Sequence, residues 1–261
     1  VVLTIGYLIT EAETIWLNLH DGRVAPATAL AVDQETGFGL VQALTRLDIA
    51  PLPVGSAAKA QVGDRVVLGG AGGRTRSVAG HIAGRQEFSG YWEYVLDEAI
   101  FTLPSHPNWG GTGLLNAAGE LIGIGSLQLE REQNGKSENL NMVIPIDLLA
   151  PIRDELTKFG HTTKPVRPWL GLYSTEVEDR VVVVGVAGKG PASRAEIKTG
   201  DIILEVKGEK VTTLSQFYKK VWALGSAGVE VPLTLYRDGD TFQVRVNSSD
   251  RAKFLKAPKL H

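Results

Sequence analysis

Short apolar segments separated by turn residues are the feature that most limits what this chain can fold into. Such segments recur roughly every 8–12 residues in the first part of the sequence, and Asp21-Gly22, a pair typical of tight hairpins, separates two of them. Thirty glycines among 261 residues supply the turns that many short strands require. The pattern predicts a mostly β protein arranged as a sandwich or barrel. The clearest segments are 1–10, 14–20, 65–68, 77–82, 92–102, 114–115 and 120–129.

Composition excludes several classes of function. The hydrophobic share of 43% and the charged share of 21% are those of an ordinary globular protein, and the net charge of −2 offers no electrostatic basis for binding nucleic acid. The absence of cysteine excludes disulfides and thiolate chemistry, and no spacing of His and carboxylates is typical of a metal site. Neither a metal nor a cofactor is therefore expected. No apolar run reaches the roughly 20 residues of a membrane-spanning helix, so direct membrane insertion is not expected.

The first residues bear on what the sequence represents. The chain starts within a strand-like segment, Val1-Val2-Leu3-Thr4, and has no initiating Met. These features indicate a processed protein or a fragment of a longer one.

A change in the spacing of apolar residues marks a domain boundary. Over residues 145–160 they recur at helical spacing, and Gly160 is a typical helix end. The polar, proline-containing stretch that follows predicts a linker over 161–166. The sequence thus predicts a first domain over 1–160, a second over 167–249, and a basic, poorly ordered tail over 250–261. The elements expected in the second domain are strands at 169–172, 181–186, 230–236 and 241–246 and a helix over 214–224.

A glycine-rich turn followed by an apolar strand is the most specific motif. It reads Asn108-Trp109-Gly110-Gly111-Thr112-Gly113 and leads into Leu114-Leu115-Asn116. This segment resembles the active-site turn G-N-S-G-G-P-L-L-N of the trypsin-like proteases of the HtrA/DegP type. Other segments resemble the same family in the same order, among them Leu19-His20-Asp21-Gly22-Arg23, Leu52-Pro53-Val54-Gly55-Ser56 and Gly119-Glu120-Leu121-Ile122-Gly123.

The second domain resembles the PDZ domain of that family. The run from Gly190-Pro191-Ala192 to Gly200-Asp201-Ile202-Ile203 matches the pattern S-P-A-x-x-A-G-L-x-x-G-D-I-I, except that Glu196 stands at a glycine position. The resemblance implies a trypsin-like double β-barrel followed by an α+β PDZ domain. Strands that normally precede the one leading to Tyr7 are absent from this sequence, so either they were not included or the N-terminal barrel is incomplete.

Laid on the family pattern, the catalytic positions carry other residues. The resemblance implies that the base, the acid that orients it and the nucleophile fall on Tyr7, Gly37 and Gly110. A phenol with an ordinary pKa near 10 is a poor base at neutral pH, and glycine can neither orient a base nor attack a substrate. Loss of all three groups costs roughly 10⁶ in rate, about as much as loss of the nucleophile alone. The sequence thus predicts a pseudoprotease.

Two features of this region leave alternatives open. The amide of Gly110 is retained, so a residual oxyanion hole that binds a carboxylate or carbonyl is one hypothesis, and a relaxed loop is the other. Ser105 and His106 are the nearest replacement for the lost pair. Adjacent side chains of an extended segment point to opposite faces, which argues against a hydrogen bond between them.

The PDZ-like domain keeps more of what its function requires. Such domains add a peptide to a sheet edge as an extra strand and hold its terminal carboxylate with backbone amides. Most of the apolar face of the predicted helix is expected to be core, with only part of it lining a groove. The candidate peptide-binding residues are Trp169, Leu170, Gly171 and Leu172 in the loop that the resemblance makes the carboxylate-binding loop, and Phe217, Tyr218 and Val221 on the helix.

Three functions follow, in order of preference. The first is a catalytically inactive binding, scaffolding or regulatory protein whose PDZ domain binds C-terminal or extended peptides. The second is an active serine endopeptidase of protein quality control that uses non-standard residues, and the third is a purely structural subunit. The resemblance implies a periplasmic or otherwise extracytoplasmic location and trimer-based homo-oligomers. It also implies two kinds of partner, the exposed C-termini of unfolded proteins and catalytic HtrA relatives.

Overall fold

The structure is a computed structural model that describes residues 1–133 and 135–256. Strands dominate this part of the chain, as the sequence predicted, and none of its helices is long and apolar enough to cross a membrane. The strands are β1 (Val2–Ile5), β2 (Ile15–Asn18), β3 (Val24–Val32), β4 (Phe38–Ala43), β5 (Arg65–Gly69), β6 (Val78–Gly90), β7 (Tyr94–Leu103), β8 (Gly113–Leu115), β9 (Leu121–Gln133), β10 (Lys136–Pro145), β11 (Leu172–Val177), β12 (Arg180–Val186), β13 (Ile202–Val206), β14 (Glu209–Lys210), β15 (Glu230–Arg237) and β16 (Asp240–Asn247). The helices are α1 (Arg153–Phe159), α2 (Pro191–Arg194) and α3 (Leu214–Ala223).

The chain forms two compact units. The first consists of residues Val1–Glu87 and Leu96–Thr163. The second consists of Phe88–Val95 and Lys164–Lys256. The tip of the hairpin between β6 and β7 therefore belongs to the second unit, although it lies far from the rest of that unit in sequence.

The first unit combines an open sheet with a closed barrel. The sheet has the strand order β1-β4-β3-β2, and the barrel closes through β10-β7-β6-β5-β8-β9. Of the two barrels that the sequence predicted, the described residues thus form one closed barrel and one open four-stranded sheet. Inward-pointing residues of the barrel strands fill its interior, because successive side chains of a strand point to opposite faces. Its buried cluster comprises Ala57, Val66, Leu68, Ile82, Ile100, Leu114, Ile122 and Val143.

The predicted strand over residues 1–10 ends early. β1 stops at Ile5, and Gly6–Leu8 form a 3-10 turn in which the amide of Thr10 donates to the Gly6 carbonyl at 2.9 Å. The Gly6 amide donates to the Gly37 carbonyl at 2.8 Å, and a Cβ on Gly6 would lie 3.3 Å from that oxygen. Glycine allows this close approach, and the turn carries Tyr7 out of the sheet.

The helical pattern over 145–160 is split in two. Ile146–Leu148 form a 3-10 turn, and α1 occupies only Arg153–Phe159. Pro151 lies between the two and accounts for the break. Proline lacks the amide that a continuous helix needs, and it disfavours the helical conformation of the residue before it. Gly160 ends α1 with a φ of 78°, in agreement with the predicted helix end.

The second unit is an antiparallel sheet covered by α3. The sheet has the order β11-β12-β13-β15-β16, and β14 pairs with β13. α3 begins after Thr213, whose side-chain oxygen accepts the amide of Gln216 at 3.2 Å and so caps the helix. Members of the core beneath the helix include Leu170, Leu172, Val181, Val183, Ile203, Phe217, Tyr218, Val221, Val231, Leu233, Leu235 and Val246.

The predicted strand over 169–172 is a turn instead. β11 begins at Leu172, and Trp169 forms an isolated bridge with Ser249. Gly171 has a φ of 76°, a left-handed conformation that a regular strand does not contain. A Cβ on Gly171 would also lie 3.1 Å from the Trp169 ring.

The prediction of a poorly ordered tail is wrong for residues 250–256. Asp250 accepts the amide of Ala252 at 2.8 Å, and Arg251–Phe254 form a 3-10 turn. The ring of Phe254 lies 4.8 Å from that of Trp169, centroid to centroid. A side-chain cap and an aromatic contact thus hold this segment, while residues 257–261 lie outside the described residues.

A buried ion pair stabilises the second unit. The inaccessible side chain of Asp201 accepts two hydrogen bonds from the Arg237 guanidinium, from Nε at 2.5 Å and from Nη2 at 2.7 Å, and accepts the amide of Lys198 at 2.8 Å. Burial opposes ionisation, but these hydrogen bonds and the positive charge outweigh it and lower the pKa of Asp201 below its ordinary value of 3.8. The pair therefore stabilises the folded unit above pH 3.8, and this contribution is lost as the pH falls toward the lowered pKa.

We expect Asp201→Asn to destabilise the second unit by about 1–3 kcal/mol, because an amide replaces a carboxylate that accepts three hydrogen bonds. Backbone hydrogen exchange in β13 and β15 of the full chain measures this change as a lower opening free energy. Glu230→Gln is the control, since Glu230 and Arg245 form an exposed pair in the same sheet and little change is expected. Equal effects of the two variants would contradict the role assigned to the buried pair.

Candidate functional site

The positions predicted for the nucleophile and the base lie side by side. A Cβ built on Gly110 would be 3.0 Å from the Tyr7 hydroxyl oxygen and 3.4 Å from Leu8 Cδ1. Gly37 lies beside Gly6, the residue before Tyr7, since its carbonyl accepts the Gly6 amide. The structure therefore places Tyr7 and Gly110 in contact and Gly37 next to the turn that carries Tyr7. The Tyr7 hydroxyl is the atom nearest to a Cβ placed on Gly110.

The Tyr7 hydroxyl is also engaged elsewhere. It donates a hydrogen bond to the Ser126 carbonyl on β9. Burial raises the pKa of the Tyr7 phenol above its ordinary value of 10.0, and a hydrogen bond with the Trp109 side chain acts in the opposite direction. A phenol with a raised pKa stays protonated at neutral pH, so it cannot remove a proton from a nucleophile.

The glycine-rich turn is held in place by β9. The amide of Gly111 donates to the Gly125 carbonyl at 2.9 Å, and the amide of Gly125 donates to the Thr112 carbonyl at 2.7 Å. Both the amide and the hydroxyl of Thr112 donate to the Trp109 carbonyl, at 3.2 and 2.9 Å. Gly111 has a φ of 80°, which only glycine adopts readily. The turn is thus a fixed structure and not the relaxed loop that the sequence left as an alternative.

His106, the nearest replacement base in the sequence, is buried within a structural network. Its Nδ1 accepts the amide of Asn108 at 3.0 Å, which requires that Nε2 carry the proton and donate to the Arg76 carbonyl at 3.0 Å. Its own amide donates to Asn141 Oδ1 at 2.6 Å. Both ring nitrogens are therefore used in fixing this loop, and His106 has no nitrogen left with which to activate Ser105.

The hydrogen bond between the Asn108 amide and His106 also affects the predicted oxyanion hole. Trypsin-like proteases build this hole from the amides of the nucleophile and of the residue two positions before it. Those positions are Gly110 and Asn108, and the amide of Asn108 is already bound to His106. The Gly110 candidate therefore lacks a partner amide that is free to bind an oxyanion.

The loop predicted to bind a peptide carboxylate holds an internal one. Oε1 of Glu93 accepts the amides of Leu170, Gly171 and Leu172 at 3.2, 2.7 and 2.9 Å, and Oε2 accepts the Leu170 amide at 3.0 Å. The positive φ of Gly171 makes these three successive amides converge. The amides of this loop thus bind a carboxyl group, and within the second unit that group is a glutamate side chain.

A second contact extends this arrangement along β11. The amide of Ser174 donates to the Tyr91 carbonyl at 2.9 Å, and the rings of Tyr91 and Tyr173 lie 6.0 Å apart. Val95, at the other end of the hairpin tip, is buried in the core of the second unit. The hairpin tip is therefore docked through backbone, carboxylate and apolar contacts.

The candidate peptide-binding side chains lie mostly in the core. The Trp169 ring packs on Phe254, whereas Leu170, Leu172, Phe217, Tyr218 and Val221 are all buried. The amides of the loop and not its side chains face the carboxylate. Whether these residues bind a peptide stays a prediction.

Sequence reasoning missed Glu93 because it lies 77 residues before Leu170 and was placed at the start of a strand. One signal was available, since four aromatic residues occur within seven positions of the hairpin tip, namely Phe88, Tyr91, Trp92 and Tyr94. Aromatic residues bury large areas, so a cluster of them at a hairpin tip indicates that the tip is docked.

The electrostatics of this carboxylate are unusual. Burial raises the pKa of Glu93 to about 7, while hydrogen bonds from Leu170, Leu172 and Gly171 and the charge of Arg251 favour ionisation. The buried Tyr218 hydroxyl lies beside Glu93, and burial together with this carboxylate raises the pKa of Tyr218. Burying the ionised carboxylate of Glu93 therefore costs free energy, and the hydrogen bonds from the three amides offset only part of that cost.

Comparison with family models identifies both units. The model described as a trypsin-like peptidase domain matches residues 1–124, and the model described as a PDZ domain matches residues 168–247. The predicted fold class is thus confirmed: a mostly β, trypsin-like part followed by a PDZ domain.

Two curated relatives illustrate the similarity. Serine endoprotease DegS of Haemophilus influenzae is 27% identical over 251 residues, which cover 94% of this chain and 72% of the relative. Periplasmic pH-dependent serine endoprotease DegQ of Escherichia coli K12 is 27% identical over 260 residues, covering 94% of this chain and 56% of the relative. The chain therefore spans little more than half the length of the DegQ relative.

Solved structures with the same fold are also found. The HtrA-type protease AlgW with a decapeptide has a TM-score of 0.57 at 22% identity, and the match covers 98% of this chain and 80% of that one. The serine endoprotease from Yersinia pestis has a TM-score of 0.56 at 24% identity, covering 95% and 84%. Identities this low show a shared fold.

Taken together, the two units define a trypsin-like peptidase domain joined to a PDZ domain. In this arrangement the chain is similar to HtrA-type proteases, and the curated relatives above are serine endoproteases.

Because the glycine-rich turn packs directly on β9, we expect Gly125→Ala to destabilise the first unit by about 1–3 kcal/mol. The added Cβ would lie 2.2 Å from Thr112 Oγ1 and 2.5 Å from the Trp109 carbonyl oxygen. Thermal unfolding of the full chain checks this. Gly84→Ala is the matched control, since the nearest atom to its Cβ is 3.9 Å away, in Phe101. A Gly125→Ala protein as stable as the control would contradict the assigned packing.

Proposed function

We propose that this chain is a catalytically inactive HtrA-like protein that acts as a binding or regulatory module, with a PDZ domain that binds peptide C-termini. One observation carries the proposal of inactivity. The Tyr7 hydroxyl is the atom nearest to a Cβ placed on Gly110, at 3.0 Å, and burial raises the pKa of this phenol. The group beside a side chain at Gly110 is therefore one that stays protonated at neutral pH and cannot serve as its base.

The chemistry of the remaining residues supports the same proposal. Serine-protease catalysis needs a nucleophile, a base and an orienting acid, and the positions assigned to them hold Gly110, Tyr7 and Gly37. Their combined loss is worth roughly 10⁶ in rate. The amide of Asn108, which a substrate oxyanion would need, is bound to His106. Active catalysis through His106 is disfavoured as well, because both of its ring nitrogens bond to the backbone.

The PDZ domain supports a role in peptide binding. Three successive amides of the loop over residues 170–172 converge on a carboxylate, which is the chemical group at the end of every peptide. The AlgW protein of similar fold was solved with a decapeptide. We therefore propose that the loop receives the terminal carboxylates of protein chains, such as the exposed C-termini of unfolded proteins.

The name of one relative extends the proposal to location. DegQ of E. coli is named a periplasmic enzyme, and we propose that this protein also acts outside the cytoplasm. An inactive member would act there by binding substrates of catalytic relatives or by joining them in mixed trimers. Both roles require binding surfaces and no hydrolysis.

The test of inactivity is covalent labelling with a fluorophosphonate probe, which reacts with activated serines, together with casein hydrolysis. We expect neither reaction above the level of the heat-denatured protein. Gly110→Ser alone is expected to remain unlabelled, because its side chain would contact Tyr7 and would lack a base. DegQ of E. coli is the positive control. Specific labelling of the natural chain would instead favour an active endopeptidase.

The test of peptide binding is a library of peptides with free C-termini, compared with the same peptides carrying C-terminal amides. Binding that requires the free carboxylate is expected, because amides of residues 170–172 recognise an anion. Absence of any carboxylate-dependent binding would favour a purely structural subunit.

A further inference from the structure

The contacts of Glu93 follow the pattern of a bound peptide. In strand addition, a terminal carboxylate binds the loop amides while carbonyls at alternate residues accept amides from the sheet edge. Glu93 supplies the carboxylate to residues 170–172, and the carbonyl two residues before it, that of Tyr91, accepts the amide of Ser174 on β11. The segment from Tyr91 to Glu93 thus makes both types of contact that a peptide C-terminus would make.

The backbone at Glu93 explains how a segment in mid-chain can imitate a chain end. Glu93 has a φ of 62°, in the left-handed region that glutamate seldom adopts. There the main chain turns away and continues into β7, so the side chain supplies the carboxylate. A strained residue that also places a carboxylate in a buried site is a combination that structural packing alone does not require.

The surroundings of the segment contain a polar group that the internal contact leaves unsatisfied. In the described part of the chain, the buried hydroxyl of Ser174 on β11 has no hydrogen-bond partner, whereas that of Tyr218 on α3 interacts with the Glu93 backbone. Both elements border the position of the Tyr91–Glu93 segment, since Ser174 bonds to Tyr91 and Tyr218 lies beside Glu93. Buried groups without partners are costly, so this occupant satisfies the site incompletely.

We infer that the segment Tyr91–Glu93 is an internal ligand of the PDZ domain, and that a peptide C-terminus binds only by displacing it. The inference rests on the proposed binding of C-termini. The internal ligand is covalently attached and therefore present at high effective concentration. An external peptide can bind only those molecules in which the loop is free. Its apparent affinity is therefore its affinity for the free loop multiplied by the fraction of molecules with a free loop. Peptide binding then releases the hairpin tip, so the conformation of the tip depends on whether a peptide C-terminus is bound.

The probe for this inference is the hexapeptide Phe-Ser-Gly-Tyr-Trp-Val with a free C-terminus, which copies residues 88–92 and places its carboxylate at the position of Glu93. Its affinity is measured for the full natural chain, for Glu93→Ala and for Glu178→Ala. Glu178 is an exposed glutamate of the same unit, in the turn between β11 and β12, and serves as the control. We expect Glu93→Ala to bind the peptide at least about tenfold more tightly than the natural chain, which corresponds to a loop that is free in about one molecule in ten. Glu178→Ala is expected to match the natural chain, and the C-terminal amide of the peptide is expected not to bind.

Hydrogen exchange on the same proteins provides a second measurement. Glu93→Ala is expected to lose protection at the amides of 170–172, and the peptide is expected to restore it. In the natural chain, saturating peptide is expected to increase exchange over residues 90–94, which a merely structural contact would not show. If Glu93→Ala does not fold, Glu93→Gln replaces it and is expected to give a smaller gain in affinity, since one oxygen acceptor is kept.

The outcomes separate the two proposals. If a peptide with a free carboxylate binds the natural chain and Glu93→Ala equally strongly, the inference of an internal ligand is overturned. The proposal that the domain binds peptide C-termini is then unaffected. Absence of binding to Glu93→Ala, in which exchange shows the loop amides to be free, would overturn both. Tighter binding by the variant, with release of the hairpin tip in the natural chain, supports both.

Discussion

Backbone amides need acceptors, and in each of the two units a nearby side chain of the same chain meets this requirement. The amide of Asn108, at one position of a protease oxyanion hole, is bound by the ring of His106. The amides of residues 170–172, which form a carboxylate loop, are bound by Glu93. In each case the chain supplies from within the group that an external ligand would otherwise bring. The turn and the loop therefore keep their shapes without any ligand, and their occupants define what each half can still do.

The two occupied sites differ in how firmly they are filled. At the protease-like turn, Tyr7 is anchored to the Ser126 carbonyl, and the turn itself is fixed to β9 through Gly125. These hydrogen bonds hold the turn in one conformation. In the PDZ domain, by contrast, Glu93 makes the contacts of a peptide terminus at the cost of burying a carboxylate whose pKa is raised to about 7. A contact that carries such a cost is open to competition.

Much of the fold follows from local patterns in the sequence. The bounds of α3, β15 and β16 lie within one or two residues of those predicted, because helical and alternating apolar spacing each bury one face. The convergence of Tyr7 and Gly110 also followed from motif order alone. The errors occur where a local pattern was overruled by a contact from elsewhere. The strand through residues 1–10 ends early against Gly37, and the tail at 250–256 is held by Trp169.

The sequence by itself determined the β-rich class and the order of the two domains, and it has glycine at positions 37 and 110, where the family resemblance expects catalytic groups. These are properties of composition, periodicity and residue type, which need no knowledge of distant contacts. Only the tertiary structure decided that the Tyr7 hydroxyl lies beside Gly110, that both ring nitrogens of His106 bond to the backbone, and that Glu93 occupies the carboxylate loop. The physical reason is that each of these contacts joins residues that are remote in sequence or whose partners depend on how the turns fold. Residue type limits what a group can bind, but the fold determines which of its possible partners it meets.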